Sequence, residues 1–167
     1  AVQLHAPLAC PVLLHEGLGS VSMWRDFPDR LAQATGAPVF VYSRAGYGKS
    51  SPSPLPWPTT YMHREALEML PKVLDAAGIG DCVLVGHSDG GSIALLYAAR
   101  SSDRLAGAIV LAPHIVVEDL SVDSIAKARK AYLETDLKQR LAKYHDDPDS
   151  AFWGWNDIWL HPPFKQW

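Results

Sequence analysis

The segment Gly86-His87-Ser88-Asp89-Gly90, followed by Gly91, reads G-x-S-x-G. A serine hydroxyl framed by glycines is a candidate nucleophile for acyl transfer when the pattern lies between a strand and a helix. In such a turn, side chains at the flanking positions would collide, so Gly86 and Gly90 let it close. Ser88 is then held out over the strand ends, at the start of a helix whose free N–H groups favour developing negative charge. Acyl transfer needs N–H donors aimed at the oxyanion. One is expected from Asp89, directly after Ser88. Another is expected from the upstream turn His15-Glu16-Gly17-Leu18-Gly19, from Gly17 if the histidine sets the alignment or from Leu18 if the glycine does. His87 adjoins the serine, but neighbours in a tight turn point different ways, so it is read as part of the turn's structure. The pattern alone is weak, because a plain Gly/Ser connection is commoner than a nucleophile; its context carries the reading.

That context is an alternation of short apolar runs and helical patterns. Pro11–His15 reads as a buried strand. Ser22 is expected to cap a helix with Trp24, Phe27 and Leu31 on one face and Gly36 after its end. Pro38–Tyr42 reads as a second strand, closing on the Gly turn Arg44–Ser50. A Pro/Ser-rich loop covers residues 51–58. A helix from Thr59 or Thr60 follows, with the stripe Met62, Ala66, Met69, Leu70, Val73 and Ala77, and Pro71 should bend it. Asp81–Val85 is a third strand, Ser92–Arg100 an apolar helix and Leu105–Leu111 a fourth strand. Val/Leu/Ile-rich strands separated by helices indicate an α/β fold, a mostly parallel doubly wound sheet covered on both faces. After Pro113 the chain carries only helical patterns and the aromatic residues Phe152, Trp153, Trp155 and Trp159, divided by Asp146-Asp147-Pro148. The expected organisation is a core over residues 1–113 and a helical segment over residues 114–167.

The chain has 167 residues, suited to one sizeable core, with 48% hydrophobic and 20% charged residues. A formal net charge of −3 gives no electrostatic reason to expect nucleic acid or an anionic membrane surface. No apolar run reaches the roughly 20 residues of a membrane span. The first residues lack a basic n-region and a cleavage signature, so a secretory leader is not expected and a cytoplasmic location is. Cys10 and Cys82 are the 2 cysteines. No Cys/His metal spacing exists, so no metal site is expected, and reduced thiols are the simpler reading. Among the histidines, His114 ends the last strand, where it could face the serine. His63, His145 and His161 lie on helices or their ends, where a solvated or packed imidazole is the default.

The motifs LLHEGLGS, RAGYGKS, GHSDGGSIALLYAA and AIVLAP together resemble the α/β-hydrolase superfamily, specifically small cap-bearing serine hydrolases. Glu16 departs from the family's usual Gly after the His, and Ser43 and Ala45 replace the Asp and Arg of its Asp-x-Arg-Gly-x-Gly-x-Ser turn. The resemblance implies a partial α/β-hydrolase fold with residues 114–167 in the cap, and no cofactor. It implies a Ser88 acyl-enzyme acting on a small carboxylic ester or related acyl substrate. C–C bond hydrolases, lactonases and aminopeptidase-like enzymes share the same elbow. In the family, chain order runs Ser, then Asp or Glu, then His. On that order the chain stops inside the cap, before the acid and the His. The competing expectation is therefore a catalytically incomplete fragment that self-associates or is complemented by a C-terminal fragment. The aromatic cluster is expected either to line an apolar acyl pocket or to pack the cap onto the sheet.

Overall fold

The computed structural model describes residues 8–100 and 103–167. The expectation about a secretory leader falls largely on residues 1–7, outside the described part. Four parallel strands, β1 (Cys10–Leu14), β2 (Phe40–Val41), β3 (Cys82–His87) and β4 (Leu105–Leu111), form one sheet in the order β2-β1-β3-β4. Val12, Leu13 and Leu14 of β1 are all at most 1% exposed, so this strand is covered on both faces. That is why its sequence is continuously apolar rather than alternating.

The strand order places the site. From β1 the chain crosses outward to β2, and from β3 it crosses the other way to β4. The direction of winding reverses between β1 and β3, and ligands of open α/β sheets bind beyond the carboxyl ends of strands at such a switch point. The pairing Leu14↔Gly86 brings both strands to their carboxyl ends together, so residues 15–18 lie beside residues 87–89. The same register sets Cys10 opposite Cys82, both as free thiols.

The helices differ from expectation where proline intervenes. Ser22 lies in a 3-10 turn (Val21–Trp24), and the α-helix α1 begins only at Phe27 and runs to Thr35. Pro28 is tolerated only in a helix's first turn, so it sets that start. No residue of α1 is buried; Trp24 and Phe27 stack on each other at 5.6 Å instead. The helix after residue 60 is interrupted: α2 (Tyr61–Arg64) opens into a π-turn over Glu65–Met69 and resumes as α3 (Leu70–Ala76). Pro71 has no N–H and its ring would strike the carbonyl four residues back, and the wide turn removes that conflict. It also resets the buried face, which runs Met62, Ala66, Leu70 and Leu74 in place of the expected Val73 and Ala77. α4 (Asp89–Ala99) packs across β1, β3 and β4. β2 is shorter than the apolar run Pro38–Tyr42: among the described residues it pairs with β1 alone, through Phe40 and Val41.

Beyond β4 lie α5 (Asp119–Glu134), α6 (Leu137–Leu141), α7 (Pro148–Leu160) and a 3-10 turn at Pro162–Gln166. Asp147 caps α7 by accepting from Ser150 N–H at 2.9 Å. Tyr132 stacks on Phe152 at 3.8 Å, and the buried Asn156 amide donates to the Ile125 carbonyl at 2.9 Å, tying α5 to α7. Among the described residues no helix is long and apolar enough to cross a membrane.

Candidate active site

Ser88 joins β3 to α4 with φ 52° and ψ −119°. A non-glycine residue adopts a positive φ at a cost of order 1–3 kcal/mol, so the surrounding structure must enforce it. The enforcement is visible on both sides. A Cβ on Gly86 would run into the Gly90 carbonyl, and a Cβ on Gly90 into the Leu14 and His15 carbonyls. The backbone is pinned by Ser88 N–H donating to the Leu111 carbonyl at 2.9 Å and by Ser92 N–H donating back to the Ser88 carbonyl at 3.0 Å. Asp89 opens α4, so its N–H is one of the helix's unsatisfied donors. His87 is exposed, with Nδ1 3.7 Å from a Glu16 carboxylate oxygen, and takes no part in that geometry.

Between β1 and α1, the turn at residues 15–19 is held from below. The buried Arg44 guanidinium donates through Nη1 to the His15 carbonyl at 2.5 Å and through Nη2 to the Glu16 carbonyl at 3.0 Å. Its remaining face lies 5.1 Å over the Tyr47 ring. The Glu16 carbonyl also accepts from His15 Nδ1 at 2.7 Å and from Gly19 N–H at 3.1 Å. In a trans peptide C=O and N–H point opposite ways, so the grip on the Glu16 carbonyl turns the Gly17 N–H away from Arg44. His15 Nε2 accepts the Arg44 N–H at 3.1 Å, so this imidazole is neutral with its proton on Nδ1. Burial, with Arg44 next, pushes its pKa well below the usual histidine value.

His114 is the imidazole that reaches the serine: Nε2 lies 3.2 Å from Ser88 Oγ. Its backbone is clamped by Ser92, whose hydroxyl accepts from His114 N–H at 2.9 Å and donates to its carbonyl at 2.7 Å. Its ring stands edge-on to Trp159 at 4.6 Å. The Asp89 carboxyl turns the other way, into the core, where it accepts from the Tyr61 hydroxyl at 2.6 Å. Tyr61 in turn accepts from Trp159 Nε1 at 3.1 Å. Burial raises the Asp89 pKa, opposed by Arg44 and the Tyr61 bond.

The helical layer closes on the site through a few residues. The Trp155 indole lies against Gly17 so closely that a Cβ there would overlap it. His145 reaches from the α6–α7 loop to the Leu18 carbonyl at 3.0 Å. Phe152 and Trp159 are at most 2% exposed, so within the aromatic cluster these two are packing residues, Trp159 doing so beside His114. The tertiary structure thus brings Ser88, Asp89, Gly17 and Leu18 to one strand edge and adds Arg44, His114, Tyr61, Trp155 and His145. Sequence reasoning missed most of the added set. His114 was detectable only as a polar residue at a strand's carboxyl end, and His145 carried no signal beyond a default surface histidine. Among the described residues no group of His, Cys, Asp and Glu could hold a metal ion.

Several known proteins are similar to this chain. A proline iminopeptidase of Levilactobacillus brevis is 36% identical over 65% of this chain and 36% of its own length. The lipase LipV of Mycobacterium tuberculosis is 30% identical over 56% of this chain and 34% of its own length. The chain therefore spans about a third of the length of these curated relatives. Among solved structures, NosK from Streptomyces actuosus superposes with a TM-score of 0.72 at 19% identity, over 95% of this chain and 67% of that one. The bottromycin epimerase BotH superposes at 0.67 and 20% identity, over 98% of this chain and 68% of that one. These likenesses concern the fold, which hosts more than one chemistry. The description of the alpha/beta hydrolase fold matches residues 11–153, and with the parallel sheet and the strand–serine–helix turn in place, the chain belongs to the α/β-hydrolase fold family.

Proposed function

We propose that this chain carries the nucleophile, its proton acceptor and the oxyanion donors of a serine hydrolase acting on carboxylic esters or related acyl compounds. The observation that carries the reading is the backbone of Ser88, strained at φ 52° where β3 meets α4 and enclosed by glycines that admit no side chain. Strain of this kind persists where the surrounding structure enforces it, and it clusters at active sites. Ser88 Oγ attacks the acyl carbon as its proton passes to an imidazole nitrogen. His114 Nε2, at 3.2 Å, holds that position among the described residues. The carbonyl oxygen, now negative, is met by the Asp89 N–H and by the N–H of Gly17 or Leu18. Such preorganised donors lower the barrier by roughly 3–4 kcal/mol each. The proton then returns to the leaving alkoxide and leaves an acyl-Ser88 ester, which water cleaves. The relatives named as a peptidase and a lipase support an acyl substrate without selecting one.

Incubation of the 167-residue chain with a fluorophosphonate, followed by intact mass and peptide mapping, tests the reading. Stoichiometric labelling at Ser88, absent in S88A, is the expected result. No labelling, or labelling elsewhere, overturns it. A panel of p-nitrophenyl esters of increasing acyl length then reads the substrate preference.

A further inference from the structure

The Leu18 carbonyl, in the turn beside Ser88, is bound by a residue 127 positions later in the chain. His145 is 3% exposed, and both of its ring nitrogens are engaged. Nδ1 lies 2.9 Å from the Gly48 nitrogen, whose N–H can only donate, so Nδ1 accepts. A neutral ring therefore carries its proton on Nε2 and donates it to the Leu18 carbonyl at 3.0 Å. The neighbouring Asp146 N–H donates to the Gly48 carbonyl at 2.9 Å, and the imidazole leans on the Tyr47 ring at 6.0 Å. One side chain thus joins three separate segments: the turn after β1, the Gly turn after β2 and the loop between α6 and α7. Arg44 fixes the carbonyls of residues 15 and 16 from below, and His145 fixes that of residue 18 from above. Between the two anchors lie the N–H groups of Gly17 and Leu18.

We propose that His145 is a positioning residue for the oxyanion turn, and that it ties this turn to the Gly turn after β2 only as the neutral imidazole. This rests on the reading of Ser88 as nucleophile. Protonation would place an N–H on Nδ1 facing the Gly48 N–H, two donors with no acceptor between them, and the bond to Gly48 is lost. The charged and titratable groups around the ring are Glu16 and His15 from the turn after β1, Tyr47 with Arg44 over its ring from the turn after β2, and Asp146 on its own loop. Burial holds His145 below the usual histidine value, with the Leu18 bond and Glu16 pulling the other way. The latch is therefore closed at neutral pH and opens on acidification.

Two measurements on the 167-residue chain test this. In wild-type protein, two-dimensional amide NMR across pH should show the Gly48 and Gly19 signals titrating with the His145 ring protons at one midpoint. In H145Q those amides should be flat over the same range. Fluorophosphonate labelling at neutral pH should slow on the order of 10- to 100-fold in H145L, less than the ~10²–10³ lost with an oxyanion donor itself, and H145Q should recover part of the rate. Gly48 and Gly19 amides that do not follow the His145 ring overturn the proposal. So does a folded H145L labelled at the wild-type rate. Wild-type protein that shows the amide linkage but is never labelled overturns the Ser88 reading, and the positioning role with it. Wild-type protein that is labelled but lacks the linkage overturns the role of His145 alone.

Discussion

Ser88 Oγ lies 3.2 Å from Nε2 of His114, a residue held to α4 by two hydrogen bonds with the Ser92 hydroxyl. The contact joins the end of β3 to the end of β4 and sets beside the candidate nucleophile an imidazole nitrogen, the proton acceptor of the proposed mechanism. Replacing His114 by Gln keeps a polar group of similar reach but removes the base. H114Q should be labelled by a fluorophosphonate at least about 100-fold more slowly than wild type, in keeping with the ~10²–10⁴ contributed by general-base assistance. Equal rates would assign the proton transfer to another group.

The strain at Ser88 has a stability consequence separate from chemistry. Glycine adopts φ 52° without the Cβ penalty, so S88G should raise unfolding stability by about 1 kcal/mol while abolishing labelling. Urea denaturation of the two proteins reads the difference. A loss of stability in S88G would mean that the hydroxyl's contact with His114 outweighs the backbone strain.

Gly90 leaves no space for a methyl group, because a Cβ would meet the carbonyls of Leu14, the last residue of β1, and of His15 after it, which are backbone and cannot swing aside. G90A should cost about 3 kcal/mol or more by forcing apart strand and helix at the core. Chemical denaturation or loss of soluble expression checks it, with G80A as the control, since nothing lies within 4 Å of a Cβ at Gly80 and its backbone is not left-handed.

Arg44 answers two carbonyls with one planar fork, which an ammonium cannot reproduce. R44K should lose about 2 kcal/mol, one charge-assisted hydrogen bond, and R44M more, since the His15 carbonyl is then left buried and unpaired. Labelling of Ser88 should slow in both, because the Gly17 N–H loses its fixed direction. Wild-type labelling in a folded R44M would show that the turn keeps its shape without the fork.

Two buried neutral imidazoles contribute to the response of stability to acid. His15 and His145 both have folded-state pKa values below the unfolded value near 6.5, so the unfolded chain takes up protons that the native chain refuses. Their stabilising contribution is complete above pH 6.5 and is lost progressively as pH falls toward the folded values. Melting temperature should drop between pH 7 and pH 5, and drop less in H145Q. A pH-independent melting temperature over that range would contradict the depressed values.

The local parts of this protein were legible in its residues. A continuous apolar run marks a strand covered on both faces, and β4 spans the expected Leu105–Leu111. The glycines at 86 and 90 mark a turn that only glycine can close, because that collision is decided within a few residues of chain. Pro28 and Pro71 show the limit: their effect on a helix is local in cause, yet whether the chain answers by starting late or by opening a π-turn depends on what the helix packs against. The contacts that complete the candidate site lie further apart still. Arg44 meets a carbonyl 29 residues away, His114 a hydroxyl 26 away and His145 a carbonyl 127 away. None of these spacings is periodic, and each exists only because the pairing Leu14↔Gly86 and the packing of α7 over the strand ends set the distances. The sequence by itself determined the alternation of strands and helices, the strained serine and its glycine frame, since short-range sterics and burial act along the chain. The partners of that serine were decided by tertiary structure alone, because register and helix packing choose which distant polar groups share a strand edge.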